Sequence, residues 1–159
     1  MGRAKHKQKD RDGASFLALP HIVMDSPAFL ALSASAVRLL LDIARQLNNR
    51  NNGRLVACMS ALKHRGWTSN DTLTNALREL ESAGLLFKTR KGARPNRAAW
   101  FALTWAALDW TPEMECSSSS YPRGQYAVTP ADAVRIEQAR AQAVRKEAKA
   151  KARHRQAAP

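Results

Sequence analysis

The sequence is poor in the residues that build metal, redox and catalytic sites. Its two cysteines, Cys58 and Cys116, form no CxxC pair, so neither a disulfide framework nor a cysteine-rich metal site is expected. The four histidines are scattered, and no His, Cys, Asp or Glu cluster has metal-ligand spacing. No glycine-rich loop precedes a Lys-Ser or Lys-Thr pair, and no aspartate accompanies a plausible nucleophile. We therefore predict no metal, no cofactor and no catalytic residue, and we predict that the protein is not an enzyme.

Long hydrophobic runs are also missing. No run approaches the roughly 18 apolar residues that a membrane-spanning helix needs. The first residues lack the apolar stretch of a secretory signal, so we expect none. These observations predict a cytoplasmic protein that makes no membrane contact.

Acidic residues are scarce relative to basic ones. Lysine and arginine total 26 against 13 acidic residues, which gives a formal net charge of +13. Such a chain is drawn to polyanions by its long-range field. The basic residues are concentrated in both tails and in one internal loop, so the charge predicts a nucleic-acid partner and a nucleoid-associated location.

The 159 residues are enough for one compact domain with tails. Residues 1–14 are polar and charged, and we predict a disordered basic arm. Residues 15–110 are predicted to form the folded domain. Residues 111–129 are rich in proline and serine, which is typical of a flexible linker. Residues 130–159 are rich in Ala, Arg and Lys and are predicted to form a basic helical tail.

The first half of the domain is predicted to contain one helix. Ser33 or Ser35 is placed to cap it, and Arg38 and Asp42, four residues apart, are assigned to its outer face. Its inner face is predicted from apolar residues at helical spacing. These residues are Val37, Leu40, Leu41, Ala44 and Leu47.

Less regular structure is predicted on either side of this helix. The run 16–32 contains Pro20 and Pro27, which discourage helix, and it is interpreted as a lead-in segment that packs on the core. The Asn-rich cluster at 48–53 ends the helix because Asn and Gly tolerate left-handed backbone. Residues 54–57 are a short strand candidate.

Two further helices are predicted in the second half. The first covers residues 58–65 and ends at Gly66. Ser69 is placed to cap the second, which ends at Gly84. The second helix carries one continuous apolar stripe. Its members are Leu73, Ala76, Leu77, Leu80 and Ala83.

A basic hairpin is predicted to follow. Residues 85–89 and 98–104 are predicted to be antiparallel strands, joined by the loop 90–97. From Gly84 to Arg97 there are five cations and no acid. The cations are Lys88, Arg90, Lys91, Arg94 and Arg97. Because like charges repel, folding gives no reason for this concentration, and it indicates contact with a polyanion.

The order of these elements over residues 33–104 resembles the winged helix-turn-helix family of bacterial, phage and plasmid proteins. The run 69–80, followed by Ala83, Gly84 and Leu85, is similar to the recognition helix of this family and its exit. The lead-in is similar to the segment before this domain in phage and plasmid replication proteins and in small regulators of mobile elements. The resemblance implies a mainly α fold with a small β wing (α+β): a three-helix core, a short antiparallel sheet and a C-terminal basic helix.

In this family the second helix of the helix-turn-helix lies in the major groove, and here that is the helix between Ser69 and Gly84. This placement implies roles for individual residues. Ser69 and Thr72, near the helix start, are expected to contact phosphate together with the free N-terminal amides. The loop cations, with Arg94 at the tip, are expected to lie along phosphates or to enter the minor groove. These cations are Arg90, Lys91, Arg94 and Arg97. The outward residues of the helix are expected to reach base edges: Asn70, Thr74, Asn75 and Arg78.

Three functions remain open at this point. The first is sequence-specific binding of double-stranded DNA, as a transcriptional regulator or as an origin-binding replication accessory of a mobile element. The second is a protein-interaction module in a replication or segregation complex, because fold does not fix function. The third is RNA binding, which the basic tails permit. A homodimer, or a replication or transcription protein as partner, is compatible with the first two.

Overall fold

The computed structural model describes residues 15–48 and 50–128. The predicted basic arm at 1–14 and the predicted helical tail at 130–159 lie outside the described residues. The described part contains six α-helices and one two-stranded antiparallel sheet, so the fold is mixed α and β, in agreement with the predicted α+β class. The α-helices are α1 (His21–Met24), α2 (Pro27–Leu30), α3 (Ala34–Ala44), α4 (Met59–Leu62), α5 (Asn70–Ser82) and α6 (Gln125–Val128). The strands are β1 (Leu86–Arg90) and β2 (Trp100–Leu103).

The lead-in segment contains two short helices, α1 and α2, which the prolines did not predict. Pro27 occupies the first turn of α2, where its missing N–H costs nothing, and the Ser26 hydroxyl accepts a hydrogen bond from the Phe29 N–H. Val23 and Ala28 are fully buried in the core. The segment therefore packs on the core, as expected, but as two single helical turns.

Helix α3 begins where the sequence predicts, and Leu40 and Ala44 are buried as predicted, but the rest of its buried face differs from the prediction. The Ser33 hydroxyl accepts from the Ala36 N–H and caps the helix. Leu41, predicted to be inward, is exposed, and Asp42, predicted to be outward, is buried. The helix is apolar around most of its circumference, so two stripes fit the helical period, and the core selects a stripe one residue earlier. Its buried apolar residues are Ala36, Leu39, Leu40, Ile43 and Ala44.

Helix α4 and the 3-10 turn Lys63–Arg65 together cover the helix predicted at 58–65. Gly66 follows with a left-handed backbone (φ +83°) and ends this unit. Ser69 caps α5 by accepting from the Thr72 N–H, which confirms the predicted start of that helix. The helix α5 packs on α3, and its Glu79 carboxylate accepts hydrogen bonds from the backbone N–H and the hydroxyl of Ser33.

The two strands pair in an antiparallel register in which Leu86 faces Leu103 and Lys88 faces Phe101. The register shifts between Lys88 and Arg90, so β1 carries an irregularity just before the loop. The strand predicted at 54–57 is reduced to one bridge, in which Leu55 exchanges both backbone hydrogen bonds with Phe101. This bridge adds one residue pair beside β2, while β1 is the strand that contacts α5.

Residues 111–128 do not form the flexible linker that proline and serine suggested. Met114 and Tyr126 are buried, and α6 contacts α2. The Tyr121 hydroxyl donates towards the carbonyl oxygens of Leu103 and Ala106, at 2.6 and 2.9 Å. This segment is tied to both strands, at Thr89 and at Leu103, because a few well-placed side chains and backbone groups fix it there, whatever its overall composition.

Candidate nucleic-acid interface

The residues predicted to read bases lie on α5, and most of them are exposed. Asn70, Thr74 and Arg78 are solvent-exposed, whereas Asn75 is half-buried. Leu73, Ala76 and Leu80 occupy the opposite, buried side of the helix, as the apolar stripe predicted, while Leu77 is half-buried. The helix therefore presents a polar surface that carries one exposed acid, Asp71, in its first turn and one exposed cation, Arg78, towards its C-terminal half.

The residues predicted to contact phosphate lie at the start of α5. Ser69 and Thr72 are both exposed. The Ser69 oxygen already accepts the Thr72 N–H at 3.2 Å, so it serves as the helix cap. A hydroxyl also carries a proton that it can donate, so this cap remains capable of binding an anion.

A buried network that sequence reasoning missed holds the turn before α5. The Asp42 carboxylate, on α3, accepts from the Trp67 indole N–H at 2.8 Å and from the Arg65 Nε at 2.9 Å. Arg65 Nη2 lies 2.7 Å from the same carboxylate. Asp42 and Trp67 are 7% and 3% exposed. The start of α5 is thus fixed to α3 by a charged hydrogen-bond network. In the sequence, the one feature that could have indicated this network is Trp67, whose indole N–H needs an acceptor when it is buried.

The basic loop between the strands narrows to a tight turn. Ala93 and Arg97 exchange both backbone hydrogen bonds, at 2.8 and 2.9 Å. Residues 94–96 form the turn that closes this bridge, and Arg94 is its first residue. Arg94 therefore lies at the tip of the hairpin and is exposed, as predicted.

Three of the five hairpin cations are engaged by other groups of the protein. Lys88 Nζ lies 2.9 Å from the Glu81 carboxylate, at the end of α5. The Arg90 guanidinium stacks 3.2 Å above the Trp100 ring and donates to the Ala98 carbonyl oxygen.

Arg97 is the third engaged cation of the hairpin, and it is ion-paired with Glu115. Within residues 15–48 and 50–128, Lys91 and Arg94 are the hairpin cations whose side chains have no ion pair or ring contact. The prediction distinguished Arg94 as the tip but gave all four cations the same phosphate or minor-groove contacts, and the structure divides them into two engaged side chains, Arg90 and Arg97, and two available ones, Lys91 and Arg94.

Glu115 is the acidic residue that the sequence analysis of the loop left out. One carboxylate oxygen pairs with Arg97, while the other accepts the Lys91 backbone N–H at 3.0 Å, so the carboxylate joins both limbs of the hairpin. The Glu115 N–H donates to the Thr89 carbonyl oxygen at 2.8 Å, which anchors the segment to β1. The hydrogen bond from Lys91 and the neighbouring Arg97 charge hold the pKa of Glu115 below its usual value.

The described residues contain no group of three or more His, Cys, Asp or Glu side chains that is placed to hold a metal ion. Within the same residues, no helix is both long and apolar enough to cross a membrane.

Burial raises the pKa of Tyr121 to about 12, so its phenol stays protonated and donates to backbone carbonyls.

Comparison of the chain with protein-family models, with curated proteins and with solved structures gives no match.

Proposed function

We propose that the protein binds double-stranded DNA as a winged helix-turn-helix, with α4 and α5 as the helix pair and the β1–β2 hairpin as the wing. The observation that carries the proposal is the pairing of a polar, exposed α5 surface with a hairpin whose tip presents Arg94. Exposed Lys91 lies beside that tip. A formal charge of +13 adds long-range attraction to the duplex.

The proposed mechanism is equilibrium occupancy of a site, and no bond is made or broken. Helix α5 enters the major groove, where Asn70, Thr74 and Arg78 reach base edges and Asn75 approaches from a more sheltered position. Asn pairs bidentately with adenine, which favours some A·T content in the site. Arg94 and Lys91 neutralise phosphates at the wing.

The division of roles is tested by fluorescence anisotropy with a selected duplex and a random duplex at several salt concentrations. Arg94→Gln is expected to weaken binding to both duplexes alike. It should also reduce by about one the slope of the logarithm of the binding constant against the logarithm of salt concentration. Lys88→Gln is the matched control, because it removes the same charge from the same hairpin at a lysine already paired with Glu81. Equal effects of the two substitutions would contradict the assignment of Arg94.

Base reading is tested with Asn75→Ala and Asn70→Ala on the same duplexes. Each is expected to relax preference at one base position, at a cost of about 1 to 3 kcal/mol on the selected duplex only. Structured RNA at matched salt is the competitor that separates duplex DNA binding from RNA binding. Tighter binding to RNA than to any duplex would refute the proposal.

The biological context that we propose is a regulator or an origin-binding replication accessory of a mobile element. A protein-interaction role is the second candidate, and two exposed apolar side chains favour it. Ile22 on α1 and Leu30 on α2 are 70% and 72% exposed. Unchanged duplex affinity after Ile22→Ser and Leu30→Ser would separate this surface from the DNA-binding face.

A further inference from the structure

A small cavity lies between α3 and the start of α5. Its volume is about 100 Å³. Seven residues line it, and none of them is acidic: Ser35, Arg38, Gly66, Trp67, Thr68, Ser69 and Thr72. The lining thus combines one guanidinium with several hydroxyl groups.

Arg38 is held in place by the turn that precedes α5. Its Nη2 donates to the Arg65 carbonyl oxygen at 2.6 Å, and its guanidinium carbon lies 5.1 Å from the centre of the Trp67 ring. Gly66 makes room for this arrangement, because a Cβ at Gly66 would lie 2.9 Å from Arg38 Nη2. Trp67 is itself fixed by Asp42. The Arg38 side chain is therefore pre-organised, and most of its five N–H donors remain for another acceptor.

The hydroxyl groups add donors around the same space. Ser35 belongs to α3, and Thr68 lies in the turn, so the donors come from separate segments of the chain. The Ser69 oxygen accepts from the Thr72 N–H, which leaves its own proton to donate. Several O–H donors and a guanidinium, without a carboxylate among them, match the acceptor oxygens of an oxyanion.

We propose that this cavity binds one phosphate group, with Arg38 as its cation. The inference rests on the proposed function in one respect, since it takes the phosphate to be part of a duplex backbone. Ser69 and Thr72 line the cavity and also begin the helix that is proposed to enter the major groove. Helix α3 then contributes a phosphate contact that is distinct from the α5 surface and the wing, and that positions α5 on the duplex.

The first experiment uses inorganic phosphate and the full chain, without DNA. The backbone amide signals of Thr68 and Ser69 are followed by NMR during a phosphate titration, with chloride at equal ionic strength as reference. We expect saturable shifts for the natural chain and for Arg45→Gln, and none for Arg38→Gln. Arg45 is the matched control because it is an exposed arginine at the other end of α3. Identical titrations for the two variants would overturn the proposal.

The second experiment measures duplex affinity for the same variants. Arg38→Gln is expected to reduce affinity 5- to 10-fold more than Arg45→Gln and to lower the salt slope by about one. A combined Ser35→Ala and Thr72→Val variant keeps Arg38 and its contact with Trp67, and it should lose affinity several-fold. This variant keeps the test decisive if Arg38→Gln lowers the melting temperature.

The two experiments separate the phosphate site from the DNA-binding function. Phosphate shifts that depend on Arg38, in a chain that binds no duplex, would support the site for free phosphate and refute the duplex function. Duplex binding that treats Arg38→Gln and Arg45→Gln alike would keep the duplex function and overturn the assignment of Arg38.

Discussion

The Asp42 network allows a stability prediction of definite size. Asp42→Ala removes the acceptor of the Trp67 indole N–H and of the Arg65 guanidinium. Trp67 is almost fully buried, so its N–H is left without a partner in the core. The Arg65 side chain is 39% exposed, so solvent screens its ion pair with Asp42 and compensates for its loss.

The expected loss in unfolding free energy follows from these two contacts. A hydrogen bond to a charged group contributes about 1.5 to 3 kcal/mol, and the unpaired buried donor makes the upper part of that range appropriate for Trp67. The screened Arg65 pair adds about 0 to 1 kcal/mol. Asp42→Ala should therefore destabilise the protein by about 2 to 4 kcal/mol.

Urea unfolding followed by far-ultraviolet circular dichroism measures this loss. Asp25→Ala is the matched control, since Asp25 is exposed at the end of α1. Trp67→Phe removes the donor while retaining a buried ring, and its cost should not add to that of Asp42→Ala, because both break the same contact. An Asp42→Ala cost no larger than that of Asp25→Ala would refute the network as a source of stability.

Three further changes have expected outcomes in unfolding experiments. Gly66→Ala should cost about 1 kcal/mol from its left-handed backbone alone, and more than Gly124→Ala, because an added Cβ meets the Arg38 side chain at Gly66 and meets nothing within 4 Å at Gly124. Glu115→Gln should destabilise at pH 7, and because the folded pKa of Glu115 is lowered, the difference from the natural chain should disappear as the pH falls below 4.5. Tyr121→Phe should cost about 0.5 to 1.5 kcal/mol, measured by thermal melting, as one hydroxyl donor is lost from two carbonyls.

Local signals in the sequence located the ends of the helices. Ser33 and Ser69 cap α3 and α5, and Gly66 and Gly84 adopt the left-handed backbone that ends the units before them. These features depend on residues that are neighbours in sequence, so they are readable without coordinates. The hairpin and its tip were predictable for the same reason.

Contacts between distant residues were not readable from the sequence. The partners of Asp42 lie more than 20 residues away, at 65 and 67, so spacing along α3 placed its side chain outside. Glu115 lies 18 residues after Arg97, in a segment whose serines and prolines suggested a linker. In each case tertiary packing brings a charged side chain next to a partner that is distant in sequence, and composition and local spacing do not predict such a contact.

These long-range contacts change how the charge of the hairpin is interpreted. Counting residues gives five cations and no acid, which implies that every cation is available to a polyanion. The structure supplies Glu81 and Glu115 from outside the hairpin and stacks Arg90 on Trp100. A phosphate approaching Arg97 therefore has to compete with a carboxylate that is anchored at two points, whereas Arg94 meets no such competitor among the described residues. Lys88 and Arg97 are thus neutralised by carboxylates, and Arg90 keeps its charge but is held against a ring, whereas Arg94 at the tip and Lys91 beside it have neither contact among the described residues. In the proposed complex, this arrangement favours insertion of the tip into a groove over contact through Arg97 or Lys88.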